Sequence, residues 1–231
     1  MPFPQLFCKK DAAAVVKRER RKQARPGELL DAALDLFVEK GFAATRVEEV
    51  AARAGVSKGT LFLYFSSKEE LFKAVVRENM SGRFTEWDAE LNGFEGSSAQ
   101  MVEYCMQSWW ERVGATKASG ITKLMMSEAQ NFPELTRFYR EEVIKPGHLL
   151  IRRILQRGIN SGEFRAMNLD YAVFSVIAPM MFLILAKHSA GICADSETPL
   201  DPAQYIAAQL AAILHGMVGP PDQIVSAATG P

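Results

Sequence analysis

Apolar residues recur three or four positions apart along most of this chain, a spacing that predicts helices. The first predicted helix runs from about Glu28 to Lys40. Its apolar face consists of Leu29, Leu30, Ala33, Leu36 and Phe37. The sequence has no alternation of apolar and polar residues long enough to predict a strand, and no internal repeat. The pattern therefore predicts an all-α protein.

Two short helical patterns lie on either side of Gly55, within the stretch Thr45–Lys68. Thr45 and Glu48 have the spacing of a capping box at the start of the first helix, and Ser57 can cap the second. Gly55 can adopt the left-handed conformation that a tight turn requires. Two helices joined in this way form a helix-turn-helix, whose second helix fits the major groove of DNA.

Further helical patterns follow this pair. Ser67 and Glu70 have the spacing of another capping box, and the helix that they start is predicted to continue towards Leu91. Pro146 is expected to kink or break a later helix, because proline cannot donate a backbone hydrogen bond. The later helices are predicted at about 99–112, 121–130, 133–160, 169–188 and 202–218.

Charge is distributed unevenly along the chain, although the net charge is zero. Residues 1–77 contain 15 lysines and arginines against 10 acidic residues, whereas residues 78–231 contain 12 against 17. A basic front is the asymmetry expected where one end of a protein meets phosphates. We predict a basic extension, a DNA-binding domain, a helical body and a tail, at 1–27, 28–76, 77–219 and 220–231.

The segment from Leu29 to Val76 resembles the DNA-binding domain of the tetracycline-repressor (TetR) family without a gap. It reads LLDAALDLFVEKGFAATRVEEVAARAGVSKGTLFLYFSSKEELFKAVV. The order of its parts carries the resemblance: an amphipathic helix ending at Gly41, the cap, the turn at Gly55, and then Tyr64 before Lys68. The resemblance implies an N-terminal three-helix DNA-binding domain and a C-terminal helical domain that binds a ligand and dimerises.

The resemblance also implies DNA contacts around the second helix. Lys58 can reach a phosphate or a guanine edge, and Thr60 can touch a base or its methyl group. Gly59 allows close approach of the backbone, and Lys68 is expected on a phosphate. The full set of predicted contacts is Thr45, Arg46, Ser57, Lys58, Gly59, Thr60, Leu63, Tyr64 and Lys68.

Two features of this surface leave alternatives open. Leu63 departs from the family pattern because it has no hydrogen-bonding group, so it either touches a thymine methyl group or packs. The basic extension at 1–27 either lies along the minor groove or is a solvated tail that adds unspecific attraction.

The body is rich in methionine and aromatic residues, most of which must form a core. Methionine also suits adaptable binding sites, and the family encloses an apolar effector pocket in this region. The alternative for each residue is ordinary core packing. We expect some of the following residues to line a pocket: Met106, Trp109, Trp110, Met125 and Phe138.

The helices at 169–188 and 202–218 are predicted to pair with their copies in a homodimer. The 16 residues from Tyr171 to Ala186 carry no charge, but they are too few for a membrane span and Pro179 interrupts them. The alternative is that both helices close the monomer's own core. The predicted dimer residues are Val173, Ile177, Met180, Met181, Ile184, Ile206, Leu210, Ile213, Leu214 and Met217.

The sequence offers little for catalysis or metal binding. Its three histidines are isolated, no phosphate-binding loop is present, and Cys105 and Ser108 have no base placed beside them. We predict no enzyme activity, no cofactor and no metal. The three cysteines are far apart, which predicts reduced thiols in a cytoplasmic protein, and the N-terminus lacks the layout of a signal peptide.

Together these patterns predict a ligand-responsive transcriptional regulator. The most favoured form is a repressor that a small apolar or amphipathic effector releases from double-stranded, palindromic operator DNA. The alternatives are an activator, or a helix-turn-helix regulator that has no small-molecule effector.

Overall fold

The computed structural model describes residues 25–189 and 200–218. The regular structure in these residues is entirely helical, which confirms the predicted all-α fold. The chain divides into two compact units between Val75 and Val76, one residue before the predicted domain boundary. Most of the basic extension, the tail at 220–231, and Cys8 and Cys193 lie outside the described residues.

The first unit is built from a short series of helices. They are α1 Arg25–Ala44, α2 Val47–Arg53, α3 Lys58–Tyr64 and the first part of α4 Lys68–Asn79. Regular geometry in α1 ends at Gly41, whose φ of 83° lies in the left-handed region that glycine adopts readily. This is the helix end that the sequence predicts.

Three phenylalanines from α1 and α4 form the centre of the first unit. Phe37 stacks on Phe42 with ring centroids 5.6 Å apart, and the ring of Phe72 meets both edge-on at 5.3 and 5.4 Å. All three are 0 or 1% exposed. Because buried aromatic side chains contribute large apolar areas, this cluster joins α1 to α4.

The turn of the helix-turn-helix has the predicted glycine, but its first cap is shifted by one residue. Gly55 has a φ of 68°. The first helix begins after Arg46, whose N–H donates to Glu49, so the predicted capping box of Thr45 and Glu48 is wrong. The cap of α3 is confirmed, since the Ser57 hydroxyl accepts the Thr60 N–H at 3.1 Å.

The second unit contains the end of α4 and all later elements. A 3-10 turn, Ser81–Arg83, follows α4. The later α-helices are α5 Phe84–Asn92, α6 Ser98–Trp109, α7 Ser119–Glu128, α8 Pro133–Tyr139, α9 Lys145–Asn160, α10 Leu169–His188 and α11 Pro202–Val218. Two π-helical turns, Trp110–Gly114 and Arg140–Ile144, follow α6 and α8.

The predicted continuous helix from Ser67 towards Leu91 is wrong, because it breaks at Met80. Met80 leaves helical geometry, with φ −135° and ψ −72°. A Cβ atom at Gly82 would lie 2.7 Å from the Arg77 carbonyl oxygen, so the tight turn needs a glycine there. The break separates α4 from α5, which lines a cavity described below.

The predicted disturbance at Pro146 takes the form of a π-helical turn. The turn Arg140–Ile144 comes before Pro146, which occupies the first turn of α9, where a missing N–H costs little. The other π-turn is closed by the Ala115 N–H, which donates to the Trp110 carbonyl at 2.7 Å. Turns of this kind occur frequently at functional sites.

The apolar helix α10 lies in the core of the second unit. By length and composition it could cross a membrane, a test that the core helix of a soluble protein also passes. It packs against α9, α7 and α11. Its residues buried in this core are Leu169, Val173, Val176, Met180, Leu183 and Ile184.

This burial contradicts the prediction for six of the ten residues that were expected at a dimer interface. Side chains that fill a protomer's own core cannot also form its contact with a second copy. The corrected residues are Val173, Met180, Ile184, Ile206, Leu210 and Met217, each at most 5% exposed. An apolar helix is buried on one side at least, but its sequence alone does not indicate which side.

Candidate DNA-binding surface and effector cavity

The recognition helix α3 is anchored by one side and exposes the other. Leu61 is 0% exposed and holds the helix to the first unit. Lys58 and Gly59 are exposed at its start, and Leu63 is 84% exposed. Leu63 therefore does not pack within its unit, which removes one of the two alternatives for this residue.

Polar groups near the start of α3 are partly paired with each other. The hydroxyl groups of Ser57 and Thr60 lie 3.0 Å apart. The Lys58 ammonium lies 2.6 Å from Glu48, and this hydrogen bond holds the pKa of Glu48 below its usual value. Since both side chains of this ion pair are 54% exposed, the pair is weak and Lys58 can exchange Glu48 for a phosphate.

The structure gives two predicted DNA-contact residues a different role. Thr45 is 1% exposed, and its hydroxyl donates within the unit, 2.7 Å from the Gly41 carbonyl oxygen. The Lys68 ammonium donates to the carbonyls of Phe42, Ala43 and Thr45 at 2.8, 3.2 and 3.1 Å. Both side chains therefore hold the end of α1 in place, and the prediction that they contact phosphates is corrected.

The other predicted contacts lie on the surface. Arg46 and Tyr64 are exposed, as is Phe62, which the sequence did not single out. The Lys58 ammonium lies 5.7 Å from the centroid of the Phe62 ring. An exposed aromatic residue next to Leu63 gives this helix an apolar patch in addition to its charged start.

The second unit encloses a cavity of about 420 Å³, a size typical of small-molecule sites. Its walls come from α5 to α10 and from the π-turn Arg140–Ile144. Met126 and Ile144 also line it, although they are 53% and 40% exposed. Its lining is almost entirely apolar and includes Phe84, Trp87, Leu91, Met106, Trp109, Met125, Val143, Leu150, Ile151, Val176, Ile177, Met180 and Met181.

Three of the five residues predicted for a pocket line this cavity: Met106, Trp109 and Met125. Phe138 does not, since its ring faces the Arg77 guanidinium at 4.9 Å. Trp110 does not either, because it packs in the π-turn against Gly114. Neighbouring residues on a helix point about 100° apart, so with Trp109 at the cavity Trp110 faces elsewhere.

One wall of the cavity carries a charged cluster. The Tyr104 hydroxyl donates to Glu90 at 2.8 Å, and Arg112 donates to both oxygens of Glu90 at 2.9 Å. Burial raises the pKa of Glu90, but these hydrogen bonds outweigh it, so the net pKa is below its usual value. Glu90 and Arg112 therefore form an ionised pair of no net charge.

Two polar groups on this wall have no partner among the described residues. The Trp87 indole N–H is buried without a hydrogen-bond acceptor, and the Ser108 hydroxyl is buried without any partner of acceptable geometry. Ser108 is close enough to Tyr104 to lower its pKa, although hydrogen bonding to Glu90 raises that pKa more. No pattern of residues indicates these two groups, because a polar group lacks a hydrogen-bond partner only once folding has buried it.

The other polar groups that line the cavity are satisfied or uncharged. The Thr122 and Tyr139 hydroxyls lie 2.9 Å apart, and burial raises the pKa of Tyr139 to about 12. Burial also raises the pKa of the Cys105 thiol to about 12 and lowers the pKa of His148. The described residues contain no cluster of three or more potential metal ligands.

Two protein-family models match this chain. The first, described as bacterial regulatory proteins of the tetR family, matches residues 29–75. The second, described as the C-terminal domain of tetracyclin repressor-like proteins, matches residues 96–194. Together the two models match more than half of the chain, and each falls on one of the two compact units described above, apart from residues outside the described ranges.

Individual proteins resemble the chain over much of its length. It is 32% identical over 154 residues to the transcriptional regulator RutR of Escherichia coli K12, covering 65% of this chain and 60% of RutR. It is 29% identical over 149 residues to the transcriptional repressor KstR2 of Rhodococcus jostii, covering 63% and 70%. The structure of Bacillus subtilis FadR in complex with stearoyl-CoA has the same fold, with a TM-score of 0.60 at 18% identity over 82% of this chain and 98% of FadR.

Proposed function

This chain belongs to the tetR family of bacterial regulatory proteins, and from that premise we propose that it is a transcriptional repressor. In this proposal it acts in the cytoplasm as a homodimer and binds a palindromic operator in double-stranded DNA. A small apolar or amphipathic effector enters the cavity of the second unit and releases the operator. The match covers about 60% of RutR, which is too little to transfer the activity of RutR to this chain. The proposal therefore rests on the surfaces and the cavity of this chain.

The exposed face of α3 is the observation that carries the proposal. Lys58 and Gly59 lie at the exposed start of the helix, and Leu63 projects from it with 84% of its surface free. Phe62 and Tyr64 on either side of it are also exposed, so the helix presents apolar surface beside its charged start. Lysine suits phosphates and guanine edges, and leucine suits thymine methyl groups, so this face is suited to the major groove.

The effector site follows from the enclosed apolar cavity. A cavity of about 420 Å³ with an apolar lining has the size and character of a small-molecule site. FadR, which shares the fold, has been solved in complex with stearoyl-CoA, so a ligand with a long apolar chain and a polar end is compatible with this architecture. KstR2 is named a transcriptional repressor, which supports repression as the direction of control.

The dimer follows from the faces of α10 and α11 that remain exposed. On α10, Tyr171 is 75% exposed and Phe174 is 51% exposed. The neighbouring helix α11 exposes a row of small side chains, which allow helices to approach closely: Ala207, Ala208, Ala211 and Ala212. Covering this surface with a second copy gives a two-fold interface, and that symmetry lets one recognition helix per chain read a palindrome.

Selection from a random pool of duplex DNA tests this function. The full-length protein is expected to enrich a palindrome whose half-sites lie one helical turn apart, about 10 base pairs from centre to centre. Enriched DNA would then be challenged with a panel of apolar compounds, and release is the expected response. Enrichment of an asymmetric site or of no sequence would contradict the operator, and DNA binding that no compound disturbs would favour a regulator without an effector.

A further inference from the structure

His148 is the one side chain in the lining of the cavity that can become positively charged. Ile151, three residues further along α9, also lines the cavity, and residues at this spacing are neighbours on a helix surface. The ring of His148 meets the ring of Phe174 on α10 edge-on, with centroids 5.3 Å apart. Since His148 is only partly buried, it lies at the edge of the cavity rather than deep inside it.

The imidazole nitrogens of His148 are available to a ligand. Neither has a hydrogen-bond partner among the described residues, and neither is one of the buried polar atoms that lack a partner. The Trp87 indole N–H and the Ser108 hydroxyl differ in this respect, because they have almost no accessible surface and a ligand does not reach them. An imidazole can donate a hydrogen bond through one nitrogen and accept one through the other.

The other polar groups of the lining are already engaged. The hydroxyls of Thr122 and Tyr139 lie 2.9 Å apart. The carboxylate of Glu90 accepts from the Tyr104 hydroxyl and from Arg112. An incoming cation would have to displace Arg112 to reach that carboxylate, so the cavity offers an amine no free partner. His148 therefore decides which polar group of a ligand is bound.

The surroundings of His148 leave its charge to be set by the ligand. Burial alone lowers its pKa, so the ring is neutral at pH 7 to 8. A carboxylate placed beside the ring would raise this pKa, because an opposite charge favours the protonated form. Titratable side chains on α9 and on the elements that pack against it are held in pairs of their own: Lys145 with Glu141, Arg152 with Asp170, Arg153 with Asp88, Arg77 with Glu142, and Tyr104 with Glu90.

We infer that the effector is an amphipathic carboxylic acid, whose apolar body fills the cavity and whose carboxylate accepts a hydrogen bond from the His148 imidazolium at the edge. The ring takes the required proton from the solvent, so binding is accompanied by proton uptake. An alcohol or ketone would gain one ordinary hydrogen bond, whereas a hydrogen bond between ionised groups is about twice as strong. This inference rests on the proposed function, since it specifies the ligand of the same cavity.

Three compounds that share a phenyl ring and a four-carbon chain test the inference by calorimetry on the full-length protein: 4-phenylbutyrate, 4-phenylbutan-1-ol and 4-phenylbutylamine. Their bodies suit a cavity of about 420 Å³, which has room for about a dozen non-hydrogen atoms at about 30 Å³ each. At pH 6 the wild type is expected to bind the carboxylate most tightly. Its affinity for the carboxylate should fall about tenfold between pH 6 and pH 8, because the proton becomes harder to take up. The alcohol should show no such fall.

The number of protons taken up is a second readout. Binding heats measured at pH 7.5 in phosphate and in Tris, which differ in ionisation enthalpy, should show that the carboxylate binds with uptake of part of a proton. The alcohol should bind with none. This readout does not depend on the absolute affinity of either compound.

His148→Gln keeps a hydrogen-bonding side chain that cannot be charged. It should lower the affinity for 4-phenylbutyrate at pH 6 about tenfold, as loss of a charged hydrogen bond implies, and should abolish both the pH dependence and the proton uptake. The affinity for the alcohol should change less than about threefold. The matched control is His215→Gln, which removes an exposed histidine that does not line the cavity and should leave all these quantities unchanged.

Each outcome bears on the inference. Equal affinity for the carboxylate at pH 6 and pH 8, pH dependence that survives in His148→Gln, tighter binding of the alcohol or the amine at pH 6, or no binding of the carboxylate would overturn it. His148 is partly exposed, so the variant should fold, and His148→Leu gives a second variant without a charge. DNA selection is measured separately, so an enriched palindrome together with any of these failures would leave the regulator standing and remove only this ligand class.

Discussion

Arg77 and Glu142 join the last turn of α4 to a π-helical turn of the cavity wall. The Arg77 Nε atom lies 2.9 Å from Glu142 Oε2, and the Nη2 atom lies 2.6 Å from Oε1. The two residues after Glu142, Val143 and Ile144, line the cavity. Lys68, which holds the end of α1, is the first residue of the same helix, so a ligand that displaced this turn would act on the helix that carries Lys68.

Arg77→Met should weaken the coupling between effector and DNA. Methionine keeps an apolar stem beside Phe138 but loses the ion pair, whose strength is about 1 kcal/mol for a partly exposed bidentate pair. We expect effector-induced release to become about fivefold less effective, with the separate affinities for DNA and effector nearly unchanged. The measurement is DNA affinity with and without a saturating compound that releases the wild type. Glu142→Gln should weaken effector-induced release by a similar factor. Release of DNA as effective as in the wild type, in both variants, would show that the Arg77–Glu142 pair does not couple effector and DNA.

Leu63→Ala should change base preference without changing stability. Because Leu63 is 84% exposed, the free energy of unfolding of the variant should differ from that of the wild type by less than about 0.5 kcal/mol. Substituting uracil for thymine in the operator removes a methyl group and should cost the wild type about fourfold in affinity at the contacted base. Leu63→Ala should be insensitive to the same substitution. The matched control is Leu61→Ala, which removes a buried side chain and should destabilise the protein by about 2–5 kcal/mol.

Lys68→Met should destabilise the first unit rather than weaken a phosphate contact. The variant leaves three carbonyl groups at the end of α1 without their shared donor, at a cost of about 2 kcal/mol. Urea unfolding measures this cost, and the salt dependence of DNA binding by the folded variant should stay as in the wild type. Lys58→Met should do the reverse, with unchanged stability and a salt slope lower by about 0.9. A lower salt slope for Lys68→Met would contradict this prediction and would indicate that Lys68 contacts a phosphate.

Removing residues 1–24 should reduce the salt dependence of DNA binding strongly. This segment contains seven lysines and arginines against two acidic residues, whereas residues 25–77 contain eight of each. The helix-turn-helix unit therefore has no excess positive charge of its own. The slope should fall by up to about 6, measured by titration at several salt concentrations. An equal loss on operator and random DNA would indicate a solvated tail, and a larger loss on the operator would indicate a minor-groove arm.

Phe174→Glu should produce folded monomers that no longer bind a palindrome. The side chain is half exposed, so a charge there can be hydrated in a monomer but not in an interface. Sedimentation at micromolar concentration gives the state of assembly, and thermal unfolding shows that the variant is folded. Met180→Glu places the charge in the core instead and should unfold the protein. A wild type that sediments as a folded monomer would refute the dimer.

The sequence predicted the course of the helices well where local signals are strong. Leu169–His188 and Pro202–Val218 have the bounds that their apolar patterns predict. Gly41 and Gly55 lie at the predicted end of α1 and at the predicted turn between α2 and α3. The break at Met80 was missed because a single glycine three residues from a helix end is a weak signal. Its necessity becomes visible only when the Arg77 carbonyl is seen to leave no room for a Cβ at Gly82.

The side-chain roles were harder to predict, because they depend on which face a helix buries. The sequence placed Lys68 on DNA, but tertiary structure brings three carbonyls within its reach. The dimer prediction selected the most apolar positions of α10, but several of these side chains are buried in the core of the same chain. The unpartnered donors of Trp87 and Ser108 exist only in the folded protein, so no pattern of residues could have indicated them.

The hydrogen bonds from Lys68 to the end of α1 also determine where a chimera with a related protein can be joined. A chimera joined inside the turn before α4 would take Lys68 from one parent and the carbonyls of Phe42, Ala43 and Thr45 from another. A graft that ends after Val75 instead transfers the lysine together with its acceptors and with Phe72 of the aromatic cluster. The portable DNA-binding module thus includes the helix-turn-helix and the first eight residues of the helix that follows it.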